Sequence, residues 1–464
     1  MQASEASAQR GEAERSSKAL GPEAARFAAR PHRTLLALSA PVVASLVAEP
    51  ITGLVDTAFV ARLGAVELAA LGVGTVLLSS SVWVFNFLGI GTQTEVAHAV
   101  GAGDRARGRD ACGAAVWVAA GLGAALAFAA WPALPTLIAW MGGRAEVADA
   151  AHTYLAIRLL GGPPMLMMMA ALGGLRGVHD MRTPLWIALA TNVANVVLDA
   201  LLIFGAGPIP ALGVAGAAWA TVASQWGGGV AAVVCVRRRL GAPDRLAWRD
   251  ARQLFVVGRD LFLRTGLLIA FLLLTTRAAT RIGTDAGAAH QAIRQVWLTT
   301  ALLLDAYAAV AQTLVGTGLG AGRVALARRA SGVATGWALA TGVAIGAAML
   351  AGEAFVARWL VPEEARGVFT LAWRVAALSQ PINALSFVTD GIHWGTRDYR
   401  YLRNAMALST ALGTAGLLYG EWTGSESLLS VWWVTTLWIG VRACFGVLRV
   451  WPAWGHAPLR PETV

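Results

Sequence analysis

Charge is what this chain has least of. Only 14% of its residues are Asp, Glu, Lys or Arg, where a soluble domain carries about 25%. Lysine is nearly missing: Lys18 stands alone, and arginine supplies the rest of the positive charge. The three cysteines, Cys112, Cys235 and Cys444, sit apart within or beside apolar segments. They have no metal-ligand spacing and suggest no disulfide framework. No His/Cys cluster occurs, no GxxxxGKS/T and no GxGxxG after a strand, so no ATP-driven mechanism is visible and no resident cofactor is expected. The histidines are scattered, and no nucleophile, metal constellation or paired catalytic groups mark an intramembrane enzyme.

What is there is apolar. Hydrophobic residues make up 56% of the chain and the mean hydropathy is +0.58. Many apolar runs reach 20 or more residues, the length that spans a bilayer. The expectation is an all-α polytopic membrane protein. Residues 1–32, rich in Ala, Ser, Glu and Arg, read as a disordered cytoplasmic tail without the apolar core of a secretory signal. Twelve apolar segments follow, roughly 34–62, 67–99, 110–139, 150–176, 183–205, 211–236, 254–282, 286–319, 325–352, 365–394, 400–420 and 426–452. Their lengths suit helices, and the alternation of a membrane barrel is absent.

The loops set orientation. One set carries Arg105, Arg107 and Arg109, then Arg176 and Arg182, then Arg237 to Arg252, then Arg323, Arg328 and Arg329, then Arg397, Arg400 and Arg403. The alternate set is poorer in Arg and holds Glu67, Glu146, Asp149, Glu363, Glu364, Glu421 and Glu426. The positive-inside rule makes the first set cytoplasmic, with both termini. The net charge of +10 is therefore topology, not a nucleic-acid footprint. Pro135, Trp140, Trp359, Trp422, Trp451 and Trp454 fall near segment ends, as helix breakers and interface aromatics do.

The chain repeats itself. RLGAVELAALGVG from Arg62 aligns with RIGTDAGAAHQAI from Arg281, and Gly101-Ala102-Gly103 with Gly320-Ala321-Gly322, at a constant offset of 219. Gly177-x-x-Asp180-x-Arg182 aligns with Gly395-x-x-Asp398-x-Arg400 at 218. Each half then holds six helices of the same in-out sense, a parallel repeat. The expected organisation is a six-helix bundle over 33–236, a cytoplasmic linker over 237–253, a second bundle over 254–453 and a short tail over 454–464. A substrate path between two such pseudo-symmetric bundles suits alternating access, although duplication alone also occurs in channels and enzymes.

One stretch organises the rest: Pro41 to Gly64, PVVASLVAEPITGLVDTAFVARLG. It is apolar enough to span, yet carries Glu49 and Asp56 and is interrupted by Pro50. A carboxylate near mid-bilayer costs roughly 2.5–3.5 kcal/mol on insertion scales. Two turns apart on one face, both acids are expected to look into a protein cavity. The fifth segment holds Asn192, Asn195 and Asp199 at i, i+3 and i+7, again one face. Asp56 lies eight residues before Gly64 and Asp199 six before Gly205, so the two sit at similar depth. If they share a pocket they cannot both ionise cheaply; such a pair can bind and release a proton or clamp a sodium ion. The repeat sets Thr275 opposite Asp56, and Gly413 and Leu417 opposite Asn195 and Asp199. Ion coupling is therefore expected in the first half only.

Other candidates are weaker. Thr221 and Gln225, one turn apart in the sixth segment, can line the same pocket, or Thr221 can bond its own backbone. Glu49 is a proton relay or a partner for backbone groups freed beside Pro50. In the second half Arg294 or Arg277 can pair with Asp305, and Asp390 can cap a helix or pair with Arg397. Met165, Met167, Met168 and Met169 form a pliable cluster.

With these residues in view the chain resembles the multidrug and toxic compound extrusion (MATE) family, most closely its DinF-like branch. The similar stretches are EPITGLVDTAFVARLG, GTQTEVAHAVGAGD, NVANVVLDALLIFG, GVAGAAWATVASQ, LLLDAYAAVAQTLVGTGLGAG and FVTDGIHWGTRDYRYLRNAM, spread over nearly everything after residue 33. The resemblance implies twelve transmembrane helices in two six-helix bundles. It implies an antiporter in a bacterial plasma membrane, exporting organic, often cationic, compounds in exchange for protons, or alternatively sodium. The family's amino-terminal functional Asp falls on Asp56, its fifth-helix Asn and Asp on Asn195 and Asp199, and its sixth-helix Thr on Thr221. Those four would also form a sodium site. The acidic pair of the second bundle seen in another branch is not evident, which favours protons. Small organic substrates and lipid are the expected partners, and a monomer the expected state. A lipid-precursor flippase of the same architecture remains the other reading. Glu95 has no account from the sequence.

Overall fold

The computed structural model describes residues 22–142, 146–245 and 248–460. Its described elements are helical; Ala206 and Ile209 form an isolated bridge inside a turn. In chain order the first half contains α1 (Pro22–Ala29), α2 (Pro31–Val60), α3 (Ala65–Val84), α4 (Phe87–Gly101), α5 (Arg105–Ala130), α6 (Leu134–Trp140), α7 (Glu146–Leu159), α8 (Gly162–Gly177), α9 (Arg182–Phe204) and α10 (Gly213–Leu240). The second half contains α11 (Trp248–Ile282), α12 (Thr284–Gly320), α13 (Val324–Ala351), α14 (Glu353–Leu360), α15 (Arg366–Leu378), α16 (Gln380–Gly395), α17 (Tyr399–Thr423) and α18 (Leu428–Val450).

Every one of the twelve apolar segments falls on one helix or on a consecutive pair. Seven described helices are long and apolar enough to cross a bilayer, or eight if α7 and α8, bent by 46°, make one span. Large side chains point outward along them: Phe128 is 85% exposed, Val193 61% and Val343 53%. In water that would be a large apolar patch; in lipid it is the solvated face. Trp140, Trp359 and Trp422 stand exposed near helix ends, where interfacial aromatics belong. Pro41 and Pro50 both lie inside α2, which runs through them as one element.

Two compact units emerge. One holds Ala40–Val100 and Asp104–Gly258; the other holds the residues up to Ser39, Gly101–Gly103 and everything from Arg259. The divisions fall inside α2 and α11.

The repeat is written into the backbone. Left-handed or otherwise positive φ recurs at matched positions: Gly64 at 150° and Gly283 at 152°, Gly103 at 74° and Gly322 at 70°, His179 at 65° and Arg397 at 61°. The first two pairs keep the offset of 219 and the third that of 218. The last pair is telling, because a side chain pays for that conformation and both halves accept it at the same turn. α8 and α16 match end to end, 162–177 against 380–395.

Three expected segments take a more ordered form in the structure. Within the expected disordered tail of residues 1–32 a helix begins at Pro22, with Ala24 and Phe27 buried and the Arg329 guanidinium donating to the Ala28 carbonyl at 3.0 Å. Residues 1–21 lie outside the described residues. The basic linker 237–253 is largely helical, since Arg237, Arg238 and Arg239 form the last turn of α10 and α11 begins at Trp248; arginines favour a helix C-terminus. The final tail is anchored as far as Arg460: Leu459 is buried and its carbonyl accepts from Arg328 at 2.6 Å.

Candidate functional site

The site lies in the unit of residues 40–258, where α2, α7, α9 and α10 bring their polar residues together. α9 and α10 touch closely because glycine permits it. A Cβ at Gly216 would run into the Leu202 carbonyl, and one at Gly228 into the Thr191 side chain. That approach puts Asn195 of α9 against Thr221 of α10: Asn195 Nδ2 donates to Thr221 Oγ1 at 3.4 Å. Thr221 Oγ1 in turn donates to the Ala217 carbonyl at 2.9 Å, the ordinary back-bond of a helical threonine. One turn along from Asp56 and Asp199, Val60 and Ile203 join a buried apolar cluster with Leu71, Tyr154, Leu155 and Ala217.

Asp56 on α2 and Asp199 on α9 have their carboxyl groups within hydrogen-bonding reach of each other. Asp199 is fully buried and Asn195 nearly so. Neither Asp199 oxygen receives a donor, nor does Oδ1 of Asp56. Buried carboxylate oxygens without donors are costly. Two facing each other lack one thing, a proton or small cation between them.

Arg158 of α7 lies beside the pair and interacts electrostatically with both carboxyls. Its Nη1 donates to Gln225 Oε1 of α10 at 3.0 Å, and it also hydrogen-bonds Tyr154 one turn earlier. Gln225 Nε2 reaches Met165 Sδ of α8 at 3.7 Å, so one member of the methionine cluster touches the network.

The remaining candidates stand apart. Asn192 is half-buried on the same face of α9 as Asn195, and no hydrogen bond joins it to the cluster among the described residues. The Glu49 side chain lies outside the described residues. Arg294 and Asp305 belong to the other unit; Arg294 Nη1 donates to Thr276 Oγ1 at 3.4 Å. Arg277 meets Glu421 at 3.6 Å. Asp390 neither caps a helix end nor stands alone: both Arg264 and Arg442 (2.8 Å) donate to its Oδ2. Glu95 lies 3.9 Å from Arg107, in a small recess with Thr92 and Gln253.

Sequence reasoning missed Arg158 and Tyr154. A signal existed: an arginine inside an apolar segment, one turn after a tyrosine and just before Gly161-Gly162-Pro163, is an intramembrane ionisable residue and so a site candidate by default.

Comparison with known proteins follows the same lines. The MatE family model matches residues 41–201, which include Asp56, Arg158 and Asp199. Protein DETOXIFICATION 44, chloroplastic, of Arabidopsis thaliana is 30% identical over 460 residues, covering 92% of this chain and 85% of that protein. DNA damage-inducible protein F of Escherichia coli strain K12 is 28% identical over 440 residues, covering 90% of this chain and 92% of that one. A solved structure described as the outward-facing conformation of a multidrug resistance MATE family transporter superposes with a TM-score of 0.82 at 20% identity, covering 93% of this chain and 97% of that chain; at that identity the likeness speaks for the fold.

Proposed function

Because the chain belongs to the MATE family of membrane transporters, we propose that it is a secondary active antiporter. It exports organic, often cationic, compounds in exchange for protons by alternating access. The observation that supports this best is the facing Asp56–Asp199 pair with three buried, donorless oxygens. A proton arriving at the pair turns one carboxyl into a donor for the other and cancels the repulsion between them. α2 carries Pro50 six residues before Asp56, and a proline removes a helical hydrogen bond, so the helix can change its bend there as the pair is protonated. The pocket contracts and the cargo leaves. Protonation drives release only because the cargo prefers the deprotonated site.

Sodium is the weaker coupling ion here. It needs a shell of oxygens, whereas Thr221 Oγ1 already donates to Ala217 and accepts from Asn195. The Arg158 guanidinium beside the pair would also repel it. A lipid-precursor flippase finds less support, since the polar heart of this unit is an acid pair. The arginine-rich loops suit the cytoplasmic face of a plasma membrane, and the chain acts as a monomer.

The test uses vesicles with an imposed pH gradient. Asp56→Asn and Asp199→Asn each abolish substrate-driven proton movement. Undiminished proton movement in both variants would overturn the mechanism, and dependence on sodium at constant pH would replace the proton.

A further inference from the structure

We propose that Arg158 is a built-in counter-cation that competes with positively charged cargo for the Asp56–Asp199 pair and so sets the charge class the site accepts. The inference rests on the reading of that pair as the coupling and cargo site.

Arg158 stands beside the pair but not on it. Its Nη1 is committed to Gln225 Oε1 at 3.0 Å and it bonds Tyr154, while its Nε is buried with no partner. Both Asp199 oxygens and Asp56 Oδ1 are without a donor. A donor lacking an acceptor and acceptors lacking a donor therefore lie in one cluster, joined by electrostatic interaction. Arginine has five donors in a planar fork suited to a carboxylate. Two positions follow for it: parked on Gln225, as seen, and engaged on the acids. The groups around it are Asp56 from α2, Tyr154 from α7, Met165 from α8, Asn195 and Asp199 from α9, and Thr221 and Gln225 from α10. Among the described residues no other charged group joins this set.

The charge arithmetic is simple. With both acids ionised and Arg158 present the site carries one net negative charge. One proton makes it neutral, and two make it positive. A monocation thus neutralises the doubly ionised site, taking the place of the proton between the acids, and protonation leaves Arg158 to repel it. Without the arginine, protonation would remove an attraction and create no repulsion. The site then suits organic cations of one positive charge and discriminates against dications. Gln225 is the parking partner, so its loss sends Arg158 onto the acids.

The two substitutions should move cation binding in opposite directions. The probe is tetraphenylphosphonium, a permanent monocation, measured by equilibrium dialysis against the purified full chain in detergent from pH 5 to 8. Arg158→Met should tighten binding by about tenfold to a hundredfold, as removal of one nearby like charge in a partly buried site implies. Binding should persist to lower pH, and a bis-quaternary ammonium compound should gain more than the monocation does. Gln225→Leu should weaken binding. Unchanged affinity and pH profile in Arg158→Met, with binding lost in Asp56→Asn, would overturn this inference and leave the site reading intact. Unchanged binding in Asp56→Asn would overturn both. Should Arg158→Met fail to fold, as thermal melting and gel filtration report, Gln225→Leu decides alone: weaker binding supports the inference and wild-type binding overturns it.

Discussion

The two halves of the chain share a helix plan and treat buried carboxylates in opposite ways. In the first half Asp56 and Asp199 face each other with oxygens that receive no donor, and Arg158 beside them donates to Gln225. In the second half the deep acids are saturated. Asp390 takes Arg264 and Arg442, stacked over Trp394 at 5.5 Å and Trp438 at 4.6 Å. Asp260 takes Arg403 at 2.6 Å and Arg259 at 3.2 Å. At the positions matching Asp56, Asn195 and Asp199 stand Thr275, Gly413 and Leu417. Thr275 only donates to its own helix, to Leu272 at 2.9 Å. The ring of Phe271 fills the space against Gly413 and stacks on Trp438 at 4.6 Å. On the proposed function, the first arrangement leaves a carboxylate pair able to take up a proton, and the second ties helices together. One fold, used twice, has been tuned to each end.

The strongest way to break this comparison is to neutralise one acid on each side. Asp390→Asn leaves two arginines with side chains 10% and 4% exposed without their counter-charge. Stranding a buried charge costs about 3–5 kcal/mol, so the variant should lose its monodisperse form in detergent or melt far below the parent. Asp199→Asn removes a charge that has no donor to lose, and its melting temperature should match or exceed the parent's while transport disappears. Equal destabilisation by the two substitutions would show that the halves are not treated differently.

A sharper and smaller effect concerns the filled position. Phe271→Ala opens a void where a buried ring packs on Trp438. In lipid there is little hydrophobic transfer to lose, so mainly the cavity and packing part of the usual aromatic truncation remains, about 1–3 kcal/mol. Melting should fall accordingly, yet the number of protons moved per substrate in vesicles should not change. A changed stoichiometry would place coupling in the second half as well.

Much of this plan was legible in the sequence, and the reason is local. The repeat needs only residue identities at a fixed offset, and Gly64 with Gly283, or Gly103 with Gly322, are turn residues wherever they fall. Apolar segment length is likewise local. Helix breaks at Phe85–Asn86, Leu160–Gly161 and Ser379 were not legible, because an apolar run reads the same whether straight or bent. The arginine partners were not legible either. Arg264 and Asp390 are separated by 126 residues, and Arg158 and Gln225 by 67; which helices touch decides such pairs. Carrying the offset of 218 forward places Ala376 opposite Arg158 and Ala443 opposite Gln225, so the arginine, like the acids, belongs to one half alone. That asymmetry is present in the letters alone.

The last comparison lies at the turn the halves share most closely. His179 and Arg397 hold the same left-handed backbone outside the helices. Burial pushes the His179 imidazole down to about 4, against an ordinary value near 6.5. Between those two pH values the folded protein keeps His179 neutral while the unfolded chain binds a proton. Stability there rises with pH: it is complete above pH 6.5 and lost as the pH falls toward 4, by at most about 3 kcal/mol. His179→Asn keeps a residue that tolerates the left-handed region and removes the titration. Its melting temperature in detergent should fall less steeply than the parent's from pH 7 to 4.5. Arg397→Asn removes a group that stays charged throughout that window, so it should shift the whole curve without changing its slope. Acidic groups titrate alike in all three proteins, so the difference in slope isolates the histidine. Parallel curves for the parent and His179→Asn would mean that the two turns match in chemistry as well as in backbone.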